Sequence, residues 1–166
     1  MLFKESSVDS DYFEKIVNTY SSMLLRISYQ NLLNKNEAED VVQDTFLQYV
    51  KMQKEFKSEE HIKAWLIRIT INNCKNRNKL LSFRREIPMN DLDFAFTKEE
   101  QSLMSEVFRL DAKYKNVLYL YYYEGYSLKE ISSILNRSVS TIGCWLQRGR
   151  KKLKVELERK GEGEYE

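Results

Sequence analysis

The chain has 166 residues, enough for one ordinary domain or two small ones, and a formal net charge of +2. Hydrophobic residues make up 42% and charged residues 31%, which is typical of a folded, soluble protein and excludes a disordered or membrane-embedded chain. No apolar run approaches the roughly 20 residues that span a bilayer, and no signal-peptide core opens the chain, so we expect a cytoplasmic protein without membrane insertion.

Few residues suited to metal binding or catalysis are present. The two cysteines, Cys74 and Cys144, form neither a disulfide pattern nor a metal-binding pattern, and His61 is the single histidine. No paired carboxylates or nucleophile–base arrangement can be recognised. The sequence therefore predicts no cofactor, no bound metal and no enzymatic activity.

The first half of the chain predicts three helices. Apolar residues over 12–27 recur at spacings of three and four, which predicts an amphipathic helix. Asn36 and Glu39 have the spacing of a capping signature for a second helix. After a loop over 54–59, a third helix is expected over 60–80. Because Pro88 is the only proline and all five glycines lie at or after position 125, nearly the whole chain should be helical.

The third predicted helix carries a mixture of side chains suited to nucleic acid. Asn72 and Asn76 are four residues apart and share a face, with Arg68 one turn earlier. Amides can bond base edges, cations hold phosphates, and aromatic rings stack on unpaired bases, so this mixture favours opened DNA over an intact duplex. For Trp65 a core position is favoured over a base platform, and for His61 a helix-start role is favoured over catalysis.

The second half predicts a linker and four helices. Acids, apolar residues and Pro88 over 82–98 indicate the linker, and helices are expected over 99–110 and 113–123. The segment 126–154, YSLKEISSILNRSVSTIGCWLQRGRKKLK, then predicts two helices joined by a tight turn.

The turn and caps of that last pair are typical of a helix-turn-helix. Ser127 and Glu130 have the capping-box spacing, Asn136 and Arg137 interrupt the apolar pattern, and Ser138 is placed to cap the second helix. Such a second helix enters the major groove of DNA. For this segment alone, a helical hairpin with a solvated cationic tail remains the alternative.

The small net charge conceals two segregated cationic segments. Residues 61–85 hold seven bases and residues 137–154 hold six, and neither segment contains an acid. Acids gather instead in 37–60, with seven against three bases. Two cationic segments on separate helical units predict two contacts with a polyanion, with two solvated helix faces as the alternative.

Together, the segments 38–76 and 119–154 resemble an extracytoplasmic-function sigma factor, and the resemblance covers essentially the whole chain. It implies an all-α fold of two small helical domains joined by a short linker. The implied divisions are a sigma-2-like helical bundle (1–82), a linker (83–98), a sigma-4-like helix-turn-helix domain (99–160) and a tail (161–166).

The resemblance also implies roles for individual residues. Docking on the β′ clamp helices of RNA polymerase is implied for Asp40, Gln43 and Asp44. Capture of the single-stranded −10 element is implied for Phe56, Lys57, His61, Lys63, Arg68, Asn72 and Asn76. Contact with the −35 duplex is implied for Arg137, Ser140, Thr141, Gln147, Arg148 and Arg150.

One triplet departs from the family pattern. Where relatives carry basic or small polar residues early in the recognition helix, this chain has Gly143, Cys144 and Trp145. Glycine costs about 1 kcal/mol in a helix interior and removes a side chain that could reach DNA. We therefore expect weaker or shifted −35 recognition, with Trp145 extending the apolar stripe of Ile142.

The implied function is that of a sigma factor that binds core RNA polymerase, opens and captures the −10 element and contacts the −35 element. The implied partners are the polymerase core (β′ clamp helices and β subunit), promoter DNA and an anti-sigma factor. Two other classes remain open. A stand-alone helix-turn-helix regulator would act as a dimer and would leave the first 80 residues unexplained. An enzyme acting on nucleic acid lacks a recognisable catalytic constellation.

Overall fold

A computed structural model describes residues 6–52, 55–80 and 96–164, and every regular element within these ranges is helical. The chain divides into two compact units, Met1–Asp91 and Leu92–Glu166. Most of the predicted linker, 83–98, lies outside the described residues, and the four predicted domain limits stay predictions. None of the described helices combines the length and apolar character that a membrane crossing requires.

The first unit is a bundle of three helices that pack against one another in pairs: α1 (Ser6–Leu32), α2 (Lys35–Met52) and α3 (Glu59–Leu80). The stripe expected on α1 is confirmed, since Ile16, Leu24 and Ile27 are buried. Burial raises the pKa of the Tyr20 phenol on the same stripe, and the negative charge of Glu59 adds to the rise.

The capping signature expected at Asn36 and Glu39 is wrong. α2 begins two residues earlier, at Lys35, and the Oδ1 atom of Asn34 accepts a hydrogen bond of 3.0 Å from the backbone N–H of Glu37. The sequence contains the same Asn-x-x-Glu spacing twice, and the end of α1 decides between the two. Leu33 follows α1 with a positive φ of 55°, so the chain turns immediately before Asn34.

Polar contacts fix α3 against its neighbours. The hydroxyl of Thr70 lies 3.2 Å from the buried hydroxyl of Thr45 on α2, and the Asn73 amide donates to Gln48 over 2.8 Å. At the other end of α3, the Asn78 amide donates to the carbonyl of Asn31 on α1 over 2.9 Å. These bonds supply partners for polar groups that would otherwise be costly to bury.

The second unit contains α4 (Lys98–Val107), α5 (Ala112–Leu118), α6 (Leu128–Leu135) and α7 (Val139–Glu164). The end of α5 continues as a π-helical turn, Tyr119–Tyr123, which the sequence did not predict. α4 ends three residues earlier than expected, because Phe108 to Leu110 form turns.

The predicted helix-turn-helix is confirmed in its local geometry. Ser127 and Glu130 form both bonds of a capping box, over 2.9 and 3.1 Å. Asn136 ends α6 in the left-handed conformation, with φ 54°, and the Ser138 hydroxyl accepts the N–H of Thr141 over 3.2 Å. α7 continues through the cationic segment to Glu164 as one helix.

A buried glycine allows α7 to approach α5 closely. A Cβ atom added at Gly149 would lie 3.3 Å from the Leu118 side chain and 3.4 Å from the Cβ of Tyr114. Gly149 continues the buried stripe of Ile142 and Leu146, spaced at four and then three residues. The sequence analysis did not predict this packing role, because it requires knowing which helix lies opposite.

Candidate functional site

The three residues assigned to polymerase docking lie on one exposed face of α2. Gln43 and Asp44 follow Asp40 by three and four residues, and all three are exposed. Leu47, the next residue along this face, is a large apolar side chain with 55% of its surface exposed. The face therefore combines acids, an amide and an apolar contact, a composition suited to binding another protein.

An arginine from α3 holds the acids of this α2 face. The guanidinium of Arg77 lies 3.2 Å from Glu37, 3.9 Å from Asp40 and 3.7 Å from Asp44. Arg77 is itself only 29% exposed, so its position is set by the packing of α3 on α2. One cation thus offsets part of the mutual repulsion of three carboxylates, with its closest contact to the part-buried Glu37.

Three of the α3 residues predicted to bind nucleic acid lie in one exposed row. Arg68, Asn72 and Asn76 are all exposed and recur every four residues. Lys63 does not join them: it is half-buried and, five residues before Arg68, points about 140° around the helix from that row. The structure thus brings together three of the predicted residues in one row, and we call Arg68, Asn72 and Asn76 the α3 row.

Phe56 and Trp65 belong to an aromatic cluster rather than standing free. The Phe56 ring stacks on Tyr49 with 5.8 Å between centroids and meets Trp65 edge-on at 5.7 Å. Tyr49 in turn stacks on Phe13 at 6.2 Å. Both Phe56 and Trp65 are half-buried, so the cluster anchors the loop that precedes α3.

The loop and first turn of α3 present two polar candidates to solvent. Lys57 and His61 are both exposed. The backbone N–H of His61 donates to the Ser58 hydroxyl over 3.2 Å, which places His61 in the capped first turn of α3, as the sequence indicated.

The four asparagines of α3 divide by role. Asn72 and Asn76 face solvent, whereas Asn73 and Asn78 bond to α2 and α1. Sequence analysis selected the first pair by spacing and missed the structural role of the second. The only sign of the structural role of Asn73 in the sequence is that it lies one residue after Asn72, outside the α3 row.

On α7 the predicted −35 residues fall into exposed and engaged groups. Ser140, Gln147 and Arg148 are exposed on the outer side of the helix, and Arg137 is exposed in the turn before it. Thr141 is half-buried, and its hydroxyl lies 2.8 Å from that of Ser138 within the cap.

Arg150 is engaged by aromatic residues of the π-helical turn. Its Nε donates to the Tyr122 hydroxyl, and its guanidinium carbon lies 5.4 Å from the centroid of the Tyr122 ring and 5.7 Å from that of Tyr121. Arg150 is exposed, as Arg148 is, but its guanidinium packs against these tyrosines, and this contact restricts its position.

Trp145 lies at the margin of the apolar stripe, where it was expected to extend it. Ile142 and Leu146 are buried, but Trp145 is half-buried. Its ring is approached by Lys113 from α5 and by Arg137 from the turn, each 5.9 Å from the centroid. At Gly143, an added Cβ would meet no atom within 4 Å.

No cluster of three or more His, Cys, Asp or Glu side chains that could hold a metal ion occurs within the described ranges. The candidate surfaces are instead cationic, amide-rich or acidic helix faces, which bind macromolecules through many weak contacts.

Comparison with protein families finds matches in both units. The sigma-70 region 2 family matches residues 16–82, and the sigma-70 region 4 family matches residues 101–153. The first match spans all of α2 and α3, and the second includes α6 and the first half of α7.

Individual relatives match over most of the chain. The ECF RNA polymerase sigma factor SigW of Bacillus subtilis is 28% identical over 90% of each chain. The RNA polymerase sigma factor SigZ of the same organism is 31% identical over 89% of this chain and 84% of its own length.

Solved structures show a similar fold. CnrH, solved with the cytosolic domain of CnrY, has a TM-score of 0.69 and 25% identity over 90% of each chain. RpoE of Bartonella quintana, solved with the anti-sigma factor NepR, also has a TM-score of 0.69 and is 21% identical. That match covers 88% of this chain and 96% of RpoE.

Proposed function

The chain belongs to the extracytoplasmic-function sigma factors, with sigma-70 region 2 and region 4 domains, and we propose how its surfaces divide the work of promoter recognition. It directs transcription initiation through RNA polymerase, and sigma factors are subunits for initiation rather than enzymes. A stand-alone regulator is disfavoured, because that role gives no function to the region 2 unit.

The α2 face is the proposed docking surface for core polymerase. Asp40, Gln43 and Asp44 would meet the β′ clamp helices, with Leu47 as an apolar contact beside them. The supporting observation is that Arg77 lies within 4 Å of both acids and reduces their mutual repulsion, so that both can remain charged and exposed on one face. Further contacts would be made with the β subunit.

The α3 row is the proposed binding surface for the opened −10 element. Its single cation, Arg68, can hold a phosphate, and the two amides that follow, Asn72 and Asn76, can bond base edges. Trapping unpaired bases offsets the few kcal/mol lost when a base leaves the stack, so binding would shift the DNA toward the opened state. This exposed row is the observation that carries the proposal.

The loop before α3 would receive a base flipped from the stack. Lys57 and His61 are exposed at its edge, and Phe56 would set the loop's shape through its contacts with Tyr49 and Trp65. Lys63 would act at the flank of the strand, since it lies away from the α3 row.

The outer side of α7 is the proposed binding surface for the −35 element. Ser140, Gln147 and Arg148 would face the major groove, while Arg137 and Thr141 would act at the start of the helix. Arg150 would also contact the −35 duplex. Its contacts with tyrosines of the π-helical turn would set the position of its side chain. The two units thus contact promoter DNA at separate elements.

We also infer regulation by an anti-sigma protein, acting in the cytoplasm where core polymerase works. RpoE was solved with the anti-sigma factor NepR, and CnrH was solved with the cytosolic domain of CnrY. In this chain the α2 face and the outer side of α7 are the surfaces whose coverage would block both polymerase and DNA.

The test of the −10 assignment is selection from a random pool of single-stranded DNA by the reconstituted holoenzyme. We expect enrichment of a short motif, which should be lost when Asn72 and Asn76 are both replaced by alanine. Equal enrichment by that variant would contradict the assignment. Specific binding of palindromic duplexes by a dimer without polymerase would favour the stand-alone regulator.

A further inference from the structure

Trp145 lies in the triplet that departs from the family pattern, and its surroundings suggest a use for it. We propose that Trp145 positions Lys113 and Arg137 as a paired clamp for the DNA backbone beside the −35 element. The proposal rests on the −35 role of α7 proposed above and adds a phosphate-binding surface to it.

One indole ring joins three segments of the second unit. Trp145 is on α7, Lys113 is in the first turn of α5, and Arg137 is in the turn that precedes α7. Because the Lys113 ammonium and the Arg137 guanidinium carbon each lie 5.9 Å from the ring centroid, they are at most about 12 Å apart. Both distances fall within the range of a cation–π contact.

A second ring extends this arrangement. The Lys113 ammonium lies 5.1 Å from the Tyr114 centroid, and the Lys152 ammonium lies 5.5 Å from the same centroid. The two rings therefore link three cations from three segments: Arg137, Lys113 and Lys152. Within the described part of the chain, no carboxylate forms an ion pair of 4.0 Å or less with any of these three.

Electrostatics favours an anion at this surface. Like charges held close together repel one another, and attraction to the negative ring faces compensates only in part. Successive phosphates of one DNA strand rise by about 3.4 Å along the helix axis, so cations at most about 12 Å apart can contact neighbouring phosphates. An anionic backbone would relieve the repulsion and release counterions.

The location identifies DNA as the partner. Trp145 is four residues after Thr141 and three before Arg148, on the flank of the helix that would enter the major groove. Contacts with phosphates fix the position of such a helix, whereas contacts with bases specify sequence. Trp145 thereby brings cations from α5 and from the turn to the stretch of helix where Gly143, Cys144 and Trp145 replace the basic or small polar residues of relatives.

The test measures holoenzyme affinity for a duplex selected from a random double-stranded pool, over a series of salt concentrations. We expect Trp145→Ala to weaken binding roughly two- to fivefold and to lower the salt slope by about 1, with an unchanged base preference. Trp145→Phe keeps an aromatic ring and should retain most of the affinity. Lys98→Gln, at an exposed lysine that begins α4, is the matched control.

A surface variant keeps the test valid if Trp145→Ala unfolds the unit. Lys113→Gln should reproduce the lower salt slope, and adding it to Trp145→Ala should have little further effect. Unchanged affinity and slope in both variants, fully additive losses, or a changed base preference would each overturn the clamp. If the wild-type holoenzyme shows no sequence-specific binding to duplex DNA, the proposed −35 role of α7 is itself wrong.

Discussion

The Arg77 guanidinium on α3 lies 3.7 Å from the Asp44 carboxylate on α2. This ion pair links the helix that carries the α3 row to the helix that carries the proposed polymerase face. Since Arg77 also lies 3.2 Å from Glu37, any rotation of α3 relative to α2 would alter the charge pattern offered to polymerase. The two functions of the first unit thus share one structural contact.

Replacing Asp44 by alanine should weaken the binding of core polymerase roughly five- to tenfold, because a charge is lost from the proposed protein interface. The change should leave folding intact, since Asp44 is exposed. Affinity can be measured by titrating labelled protein with core polymerase. Asp11→Asn, at an exposed acid of α1, is the control, and equal affinity for the two variants would contradict the assignment.

The asparagines of α3 should separate function from stability. Asn72→Ala should lower the affinity of the holoenzyme for single-stranded −10 DNA with little change in melting temperature, because its side chain is exposed. Asn73→Ala should instead destabilise the first unit by about 1 kcal/mol, because it removes the 2.8 Å bond to Gln48. Thermal unfolding and oligonucleotide binding check the pair. If Asn73→Ala weakens DNA binding while Asn72→Ala lowers the melting temperature, the α3 row is not the DNA-binding surface.

The two glycines within the first half of α7 should respond oppositely to alanine. Gly143→Ala should raise stability by about 1 kcal/mol, because the added methyl group meets open space and alanine favours the helix. Gly149→Ala should give less gain or a loss, because its Cβ would lie 3.3 Å from Leu118. Chemical denaturation of the two variants measures the difference. Equal stabilisation of the two variants would mean that the Leu118 side chain on α5 moves aside at little cost, and it would contradict tight packing at Gly149.

Gly143→Arg tests whether the unusual triplet limits −35 recognition. The space around Gly143 admits a long side chain, so the variant should fold and bind the −35 duplex more tightly, by roughly two- to fivefold, through an added phosphate contact. Affinity and base preference can be compared with those of Gly143→Ala, which corrects for the gain in helix propensity. Unchanged affinity and preference would show that the departure from the family pattern is unimportant.

Features encoded by local spacing could be predicted from the sequence. The capping box of Ser127 and Glu130 and the exposed row of Arg68, Asn72 and Asn76 depend on short-range geometry, and both were found. The cap of α2 could not be chosen, because two Asn-x-x-Glu spacings compete and only the turn at Leu33 decides between them.

Features that depend on a neighbouring helix were missed. The contact of Trp145 with Lys113 and the close approach at Gly149 both require α5 to lie beside α7. The interaction of Arg150 with Tyr122 also depends on a π-helical turn, which the spacing of apolar residues in the sequence did not predict. Tertiary packing, rather than spacing, therefore determines which of the exposed cations contact an aromatic ring.

The central claim is that the chain directs promoter-specific initiation and that the α3 row captures the opened −10 element. Its most direct test is run-off transcription with core polymerase on candidate promoters, including that of the chain's own operon. We predict a promoter-specific transcript that requires the chain. Combined Arg68→Ala, Asn72→Ala and Asn76→Ala should reduce it at least about tenfold while core binding persists, since these residues are proposed to trap opened DNA. A full transcript from the triple variant, or no promoter-specific transcript from the wild-type holoenzyme, would contradict the account.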